Sequence, residues 1–419
     1  MNPGKPGLEG GPAAVEAPVH ASLLPVFLIV LVDVFGMTLV IPLLAIYAET
    51  FGASPLQATL LVTVFAACQL VSGPLIGYAS DRTGRKPMLI VSQIGTLIGF
   101  IILARATSLW MVFVSRMIDG ATAGNLSLAQ AYIADNTTPE NRARSFGLIG
   151  IAFGLGFFIG PSITGLLSAR YGLTAPIYLA AVMSATSIVA TSVLLRGGRA
   201  PVAQGGDRWA AFKARTYTQY FARPHLRSRL FQFLFFMLSF SMFISGFALF
   251  AERRFTWQGK PFGPREIGYI FGAVGLFGII LQGAFIGRLV KRFGEAPLVV
   301  AGFVSAVVGY VMLGWVTSTV LLVVTALLAG FGNGVLRPAL TSLITHQAER
   351  HEQGTVLGIS QALTSMAAIV APVVAGLLIQ HGWLSEWAWM CGLMSAVGWL
   401  LAVTARGGNE SPGLKRRTV

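Results

Sequence analysis

Acidic residues are scarce in this chain: 16 Asp and Glu stand against 30 Lys and Arg among 419 residues, with five His and two Cys. Charged residues make up only 11% of it, less than half the share usual in a soluble domain. Each shortage excludes something. Cys68 and Cys391 both fall in apolar segments, so no disulfide framework is implied. Three of the five histidines (His346, His351, His381) sit at the ends of apolar runs, and no Ser/His/Asp constellation can be assembled. His351-Glu352 lacks the second histidine of a zinc-binding helix, and no Walker A sequence is present for ATP. The residues therefore point to neither an enzyme nor a metal or cofactor site.

What the chain has in abundance is apolar length. It is 54% hydrophobic with a mean hydropathy of +0.71, the profile of a helical protein that crosses a lipid bilayer many times. The net charge of +14 does not mark a nucleic-acid partner, because the basic residues occupy short loops on alternate sides. A run of roughly 20 apolar residues spans a bilayer core. Twelve such runs are predicted: 22–48, 55–80, 88–104, 108–134, 143–168, 174–195, 227–251, 265–288, 296–316, 319–346, 354–380 and 384–405. The fold class expected is all-α membrane protein, twelve transmembrane helices in two six-helix bundles, 22–195 and 227–405. A basic, Gly-containing cytoplasmic linker at 196–226 joins them. A disordered cytoplasmic tail is expected at 1–21 and a second cytoplasmic tail at 406–419.

Orientation follows from the basic residues. With both termini cytoplasmic, 22 of the 30 Lys and Arg fall on the cytoplasmic side, 6 on the other, and Arg116 and Arg337 inside spans. Asn136-Thr-Thr138 fits a glycosylation sequon but lies in a loop assigned to the cytoplasm.

Three echoes recur in order. Gly77-(x)3-Asp81-Arg82-x-Gly84 returns as Gly287-(x)3-Lys291-Arg292-x-Gly294, 210 residues later. Gly120-(x)3-Gly124 returns as Gly330-(x)3-Gly334 at the same separation, and Gly160-Pro161-(x)3-Gly165 as Ala371-Pro372-(x)3-Gly376 at 211. Duplicated halves with a site near the midplane between them are a layout of secondary transporters. The copy at Lys291 has lost its acid, so the halves are not equivalent.

The segment Gly77-Tyr-Ala-Ser-Asp81-Arg82-Thr-Gly84-Arg85-Lys86-Pro87 is built for a tight turn between two membrane helices: glycine accepts positive φ and Pro87 can open the next helix. It resembles the loop signature of the major facilitator superfamily between spans two and three. That resemblance implies that Gly77, Asp81, Arg82, Gly84, Arg85 and Lys86 form a cytoplasmic gate, with Asp81 latching the cytoplasmic side in the outward-open state.

Ionisable groups inside spans are costly and therefore functional candidates. They are Asp33 in span one, Arg116 and Asp119 in span four, and Arg337 in span ten. Arg116-Met-Ile-Asp119-Gly120-(x)3-Gly124 resembles the family's span-four motif, whose arginine is linked to proton coupling. Asp33, in Leu-Val-Asp33-Val-Phe-Gly36, matches the span-one acid of the drug/proton antiporter branch. Desolvation favours the neutral acid and a nearby arginine favours the carboxylate, so a balanced carboxyl can load and release a proton. Asp33, Arg116 and Asp119 are thus assigned to proton coupling. The competing reading is a static cluster joining spans one and four.

Gly156-(x)3-Gly160-Pro161-(x)2-Thr164-Gly165 in span five presents a smooth face for a neighbouring helix. It resembles the family's antiporter motif, departing at Ala152 and Thr164, where glycine is usual. Phe250-Ala-Glu252-Arg-Arg254-Phe255-Thr-Trp257 and Gln282-(x)4-Gly287-Arg288 further resemble the tetracycline/proton antiporter group. That group carries a histidine in span eight and an acid in span nine, where this chain has Gly278 and Ala306. Arg337 is instead a cation in span ten, which points either to an anionic or zwitterionic substrate or to a fixed partner for Asp119 or for backbone carbonyls. The substrate-cavity candidates are Gln69, Asn125, Tyr132, Gln232, Phe240, Phe243, Gln282, Asn333, Arg337 and Gln361.

The function expected is a secondary active transporter, an exporter of a small drug-like or amphipathic molecule against protons, with the lipid bilayer and protons as its partners. A proton symporter or uniporter for a metabolite on the same fold is the alternative, and a receptor or scaffold without vectorial flux stands behind both. The resemblance implies a monomer, and the Ala-, Gly- and Arg-rich chain with short loops points to a bacterial inner membrane.

Overall fold

The structure, a computed structural model, describes residues 24–136, 152, 155–156, 159–195, 214–348 and 352–407. The tail at 1–21, the linker segment 196–213, residues 408–419 and the sequon beyond Asn136 lie outside the described residues. The rest is almost wholly helical: α1 Leu24–Glu49, α2 Pro55–Thr83, α3 Arg85–Ala104, α4 Leu109–Ala121, α5 Asn125–Asn136, α6 159–171, α7 Ala175–Leu194, α8 Ala214–Phe221, α9 Pro224–Arg254, α10 Pro264–Ile280, α11 Ile286–Phe293, α12 Glu295–Leu313, α13 Thr319–His346, α14 Gln353–Gln380 and α15 Leu384–Gly407. A π-helical turn, Leu281–Phe285, joins α10 to α11 as one span. Among the described residues nine helices are long and apolar enough to cross a membrane, and α1, bent by 41° between Ile41 and Leu43, makes a tenth.

The predicted continuous fourth span is a correction. The chain breaks at 122–124, dividing it into α4 and α5. A break inside a bilayer must find partners for its backbone groups. Here side chains of neighbouring helices supply them. The Gly124 N–H donates to Ser92 Oγ at 2.9 Å, the Ser92 hydroxyl donates to the Thr122 carbonyl, and Ser72 Oγ donates to the Gly120 carbonyl at 2.9 Å.

Helix ends follow from local chemistry. Ser54 and Gln57 form a reciprocal capping box at the start of α2, with Pro55 at the first helical position. The turn into α3 needs a positive φ at Gly84, and the matching turn into α12 needs one at Gly294. Between α9 and α10 a two-stranded hairpin, Thr256–Trp257 with Lys260–Pro261, turns through Gln258 and Gly259, both at positive φ.

The helices pack in two groups. α1 and α3 lie on α7, and α4 lies on α2 and α3. α9 lies on α14 and α15, α12 on α13 and α15, and α10 on α13. In lipid, close packing replaces the hydrophobic drive, and small residues permit it. A Cβ at Gly332 would lie 2.6 Å from the Gly302 carbonyl oxygen, and one at Gly309 2.8 Å from the Ala329 nitrogen, so α12 and α13 meet backbone to backbone. Inside the second group Trp387 is fully buried, stacked on Phe243 and against Phe250.

The two groups join at the end that carries Glu49, Leu56 and Arg265. There α6 meets α10, and a Cβ at Gly268 would lie 2.6 Å from the Pro161 carbonyl. α2 meets α14 there as well: a Cβ at Gly376 would lie 2.1 Å from Thr59 Oγ1. Arg253 of α9 pairs with Glu49 of α1. Toward the opposite end, which holds Arg82, Lys86, Arg223, Lys291 and Arg292, a Cβ at Gly73, Gly77 or Gly358 would meet open space. The groups therefore part toward the basic end.

Candidate functional site

Between the groups lies a cavity of about 560 Å³, within the range of sites for drug-sized molecules. α1, α2, α3, α4 and α5 form most of its wall, while α13 contributes Arg337 and α14 contributes Gly358, Gln361, Ala362, Ser365 and Ala368. Apolar side chains such as Val34, Met37, Phe65 and Leu70 dominate the lining. Among the described residues its charged groups are Asp33, Arg116, Asp119 and Arg337.

Asp33 is half-buried on this wall. Its carboxylate is hydrogen-bonded to Ser187 of α7 and Gln93 of α3, and the Gln93 amide also donates to Ser187 Oγ at 2.8 Å. Arg116 pairs with Asp119 one turn on, at 3.1 Å, with both side chains more than nine-tenths buried. Thr96 hydrogen-bonds Asp119, and the Arg116 guanidinium lies 5.9 Å from the Phe100 ring centre. The three proton-coupling candidates thus form a pair and a separate acid on one cavity wall. Arg116 and Asp119 neutralise each other inside one helix, and Asp33 is held by uncharged amide and hydroxyl groups where the cavity reaches it.

The span-five motif seats α1. A Cβ at Gly156 would come within 2.7 Å of Val34 Cγ1, and one at Gly160 within 2.3 Å of Thr38 Oγ1. Both contacted residues follow Asp33 closely on α1. Thr164, the departure from glycine, donates to the Leu39 carbonyl at 2.7 Å, just before the bend in α1. Gly165 reaches the other group, 3.0 Å from the Pro264 carbonyl by the same construction, and Pro161 approaches Gly268.

At the basic end Asp81 pairs with Arg85 at 2.6 Å, and Arg85 also donates to Ser80 Oγ at 2.6 Å. Lys86 donates to the Ser192 carbonyl at the end of α7, and Arg82 covers the Tyr78 ring. Gly77 lines open space and Gly84 turns the chain. In the second group the equivalent positions carry reversed charges, Lys291 and Glu295. Glu295 accepts from Ser342 Oγ at 2.5 Å and faces His346 at 3.6 Å.

Of the cavity candidates, Gln69, Asn125, Arg337 and Gln361 line the cavity. The other six stand away from that lining. Gln232 is buried and hydrogen-bonded to Arg229, Ser228 and the Leu401 carbonyl, tying α9 to α15. Phe243 packs among Phe247, Tyr310 and Trp387, and Asn333 donates to Tyr310 Oη. Phe240 stacks on Phe236, Tyr132 is buried in the core beside α1, and Gln282 lies exposed in the π turn, away from the cavity lining. The second group fills its own centre with aromatics, so the cavity belongs largely to the first. Gly278 meets open space and Ala306 packs under Gly332. The residues missed from sequence are Gln93, Thr96 and Ser187, polar groups inside apolar spans. The cost of burying them uncharged was the available signal.

The Major Facilitator Superfamily model matches residues 26–319 and 259–418. The chain is 30% identical to the class C tetracycline resistance protein of Escherichia coli, covering 90% of this chain and 94% of that protein. It is 26% identical to the class B protein of Escherichia coli over 93% and 97% of the two chains. It is 28% identical to multidrug resistance protein 2 of Bacillus subtilis over 84% and 88%. Among solved structures, the human organic anion transporter MFSD10 superposes with a TM-score of 0.71 at 24% identity, covering 92% of this chain and all of that one.

Proposed function

Because the chain belongs to the major facilitator superfamily, whose members are membrane transporters of small molecules, we propose that it is a proton-coupled exporter of a small, drug-like amphipathic molecule. The carrying observation is a drug-sized cavity between two helix groups, closed at one end, with the half-buried carboxyl of Asp33 on its wall. By the distribution of basic residues the end bearing Arg82, Arg85 and Lys86 faces the cytoplasm, so this conformation opens inward. Both termini are then cytoplasmic, and the chain is read as a monomer in a bacterial inner membrane.

In this reading Asp33 gives up its proton to the cytoplasm and substrate enters the cavity. The groups then close at the basic end, and Asp81 with its neighbours latches there. The far end parts, substrate leaves, and a proton from outside reloads Asp33 for the return. The coupling requires that substrate and proton each bind one conformation better than the other. Relatives named for tetracycline and multidrug resistance support the drug-like class.

The test uses proteoliposomes holding the full chain under an imposed pH gradient. A panel of tetracyclines, other lipophilic drugs and organic anions is added while proton movement is followed. Substrate uptake is expected to drive proton efflux, and Asp33→Asn should insert normally yet lose this exchange. Co-movement of substrate and proton in one direction would replace export by the symport reading, and undiminished exchange in Asp33→Asn would remove Asp33 from the mechanism.

A further inference from the structure

We propose that Gln93 of α3 and Ser187 of α7 are positioning residues for proton exchange, holding the carboxyl of Asp33 in its ionised form in this inward-open conformation. The proposal rests on Asp33 being the proton carrier and adds the residues that govern how it releases its proton.

The hydrogens in this cluster can be counted one by one. The Gln93 amide nitrogen carries two and the Ser187 hydroxyl one. Nε2 gives one to Ser187 Oγ at 2.8 Å and is hydrogen-bonded to Asp33, to which Ser187 is bonded as well. With Ser187 Oγ accepting from Nε2, its own hydrogen is the one that reaches the carboxyl. Two donors from two helices thus converge on Asp33. Gln93 Oε1, by contrast, is buried with no hydrogen-bond partner, which is costly for an amide carbonyl. Turning the amide over would let Oε1 accept from Ser187 but would set it against the Asp33 oxygens. A bare carbonyl in return for an N–H on Asp33 is the arrangement an ionised carboxyl selects, because donors favour the charged form. A protonated carboxyl would bring a hydrogen of its own, which the turned amide could accept.

Neither residue acts by touching the substrate. Gln93 and Ser187 are fully buried and neither lines the cavity, whereas Asp33 does. Nor do they act as charges. α7 carries no charged residue, and the α3 cations Arg85 and Lys86 are held at the basic end by Asp81 and the Ser192 carbonyl. Asp119 of α4 acts on Asp33 through space but is paired with Arg116. Tyr132 of α5 lies in the core beside α1, and Cys68 of α2 packs on Gly120. Glu252 and Arg253 of α9 stand with Glu49 at the far end, as do Arg265 and Glu266 of α10. An arginine in place of Gln93 would fix the carboxylate as Arg116 fixes Asp119. Amide and hydroxyl favour the ion without cancelling its charge, so the proton remains exchangeable.

The test is a pH titration of the full-length protein in lipid nanodiscs, without substrate, followed by infrared difference spectroscopy. The carbonyl band of protonated Asp33 is identified as the one absent in Asp33→Asn. Gln93→Met keeps the length of the side chain and removes its donor. The band's midpoint is then expected about one pH unit higher, a tenfold change and the scale of one hydrogen bond to a charged group. Ser187→Ala, which takes one atom out of the packing, should move it in the same direction, and it decides alone should Gln93→Met fail to insert. Ser184→Ala is the control. Ser184 is buried on α7 and donates to the Gln93 backbone carbonyl at 3.3 Å, so its loss loosens the same interface without removing a donor from Asp33. An unchanged or lower midpoint in the first two variants, or an equal rise in Ser184→Ala, would overturn the proposal. Proton efflux driven by the drug panel in proteoliposomes is read separately. Efflux with unmoved midpoints keeps antiport and sinks the positioning role, and moved midpoints without efflux keep the role and sink antiport. An Asp33 carboxyl that never titrates sinks both.

Discussion

Arg253 at the end of α9 ion-pairs with Glu49 at the end of α1, joining the two helix groups across 204 residues of sequence. Both side chains keep some exposure, 31% and 19%, and Glu252 stands beside them. A pair in that setting contributes about 1 kcal/mol or less. That is enough to bias a balanced two-state equilibrium about fivefold. Glu49→Gln is therefore expected to raise the population in which the far end is open without unfolding the protein. Spin labels at the exposed positions Gln57 and Glu386, in a background without Cys68 and Cys391, would report a longer distance. An unchanged distance distribution would mean that the glycine contacts alone hold this end.

Gly358 and Gly376 lie on the same helix and predict opposite outcomes. A side chain at Gly358 meets open space here, whereas one at Gly376 would strike Thr59 and the Leu56 backbone. Gly358→Leu should be accommodated in this conformation and block closure of the basic end, abolishing transport with little loss of thermal stability. Gly376→Leu should force the far end apart. Distances between labels at Thr83 and Lys291 would stay long in the first variant and shorten in the second.

The Arg116–Asp119 pair is buried, so removing one partner strands the other charge. Asp119→Asn is expected to cost about 3–5 kcal/mol, read as a lower unfolding temperature in detergent. Arg116→Gln combined with Asp119→Asn should recover a large part of that loss. Asp33→Asn, whose amide can still bond Gln93 and Ser187, should change stability far less. If all three variants melted alike, the two roles would not be separable.

Ser92 completes the break in the fourth span through the Gly124 N–H and the Thr122 carbonyl. Ser92→Ala removes that partner from both groups, which keep their 2.8 Å bond to each other, at a cost of about 1 kcal/mol. Hydrogen exchange at Gly124 should accelerate correspondingly, while the amides of α12 should not change.

Asp81→Asn removes the 2.6 Å pair with Arg85. Turnover in proteoliposomes is expected to fall several-fold, the effect of one charged contact on a conformational equilibrium, with expression intact. Undiminished turnover would show that the loop acts through its basic residues and Gly84.

The sequence by itself determined the helical membrane class, the run of spans and the turn at Gly84. These depend on local length, hydropathy and backbone freedom, which are written in consecutive residues. It also exposed the ionisable groups, because a charge within an apolar run is conspicuous wherever it packs. Only the tertiary structure decided which of them meet. Arg116 and Asp119, three apart on one helix, are within pairing reach by spacing alone, but that Asp33 turns to Gln93 and Ser187, residues of two other helices, was not legible. The same holds for the cavity. Gln232, Phe243 and Asn333 read from sequence like lining residues, yet the second group's aromatic core claims them. Which face of an apolar helix looks inward is set by its neighbours, and a span that is hydrophobic all round carries no period from which to read it. The break of the fourth span was hidden for a related reason. Its Gly120 and Gly124 also suit an unbroken helix, and the hydroxyls of Ser72 and Ser92 on neighbouring helices make the broken form possible.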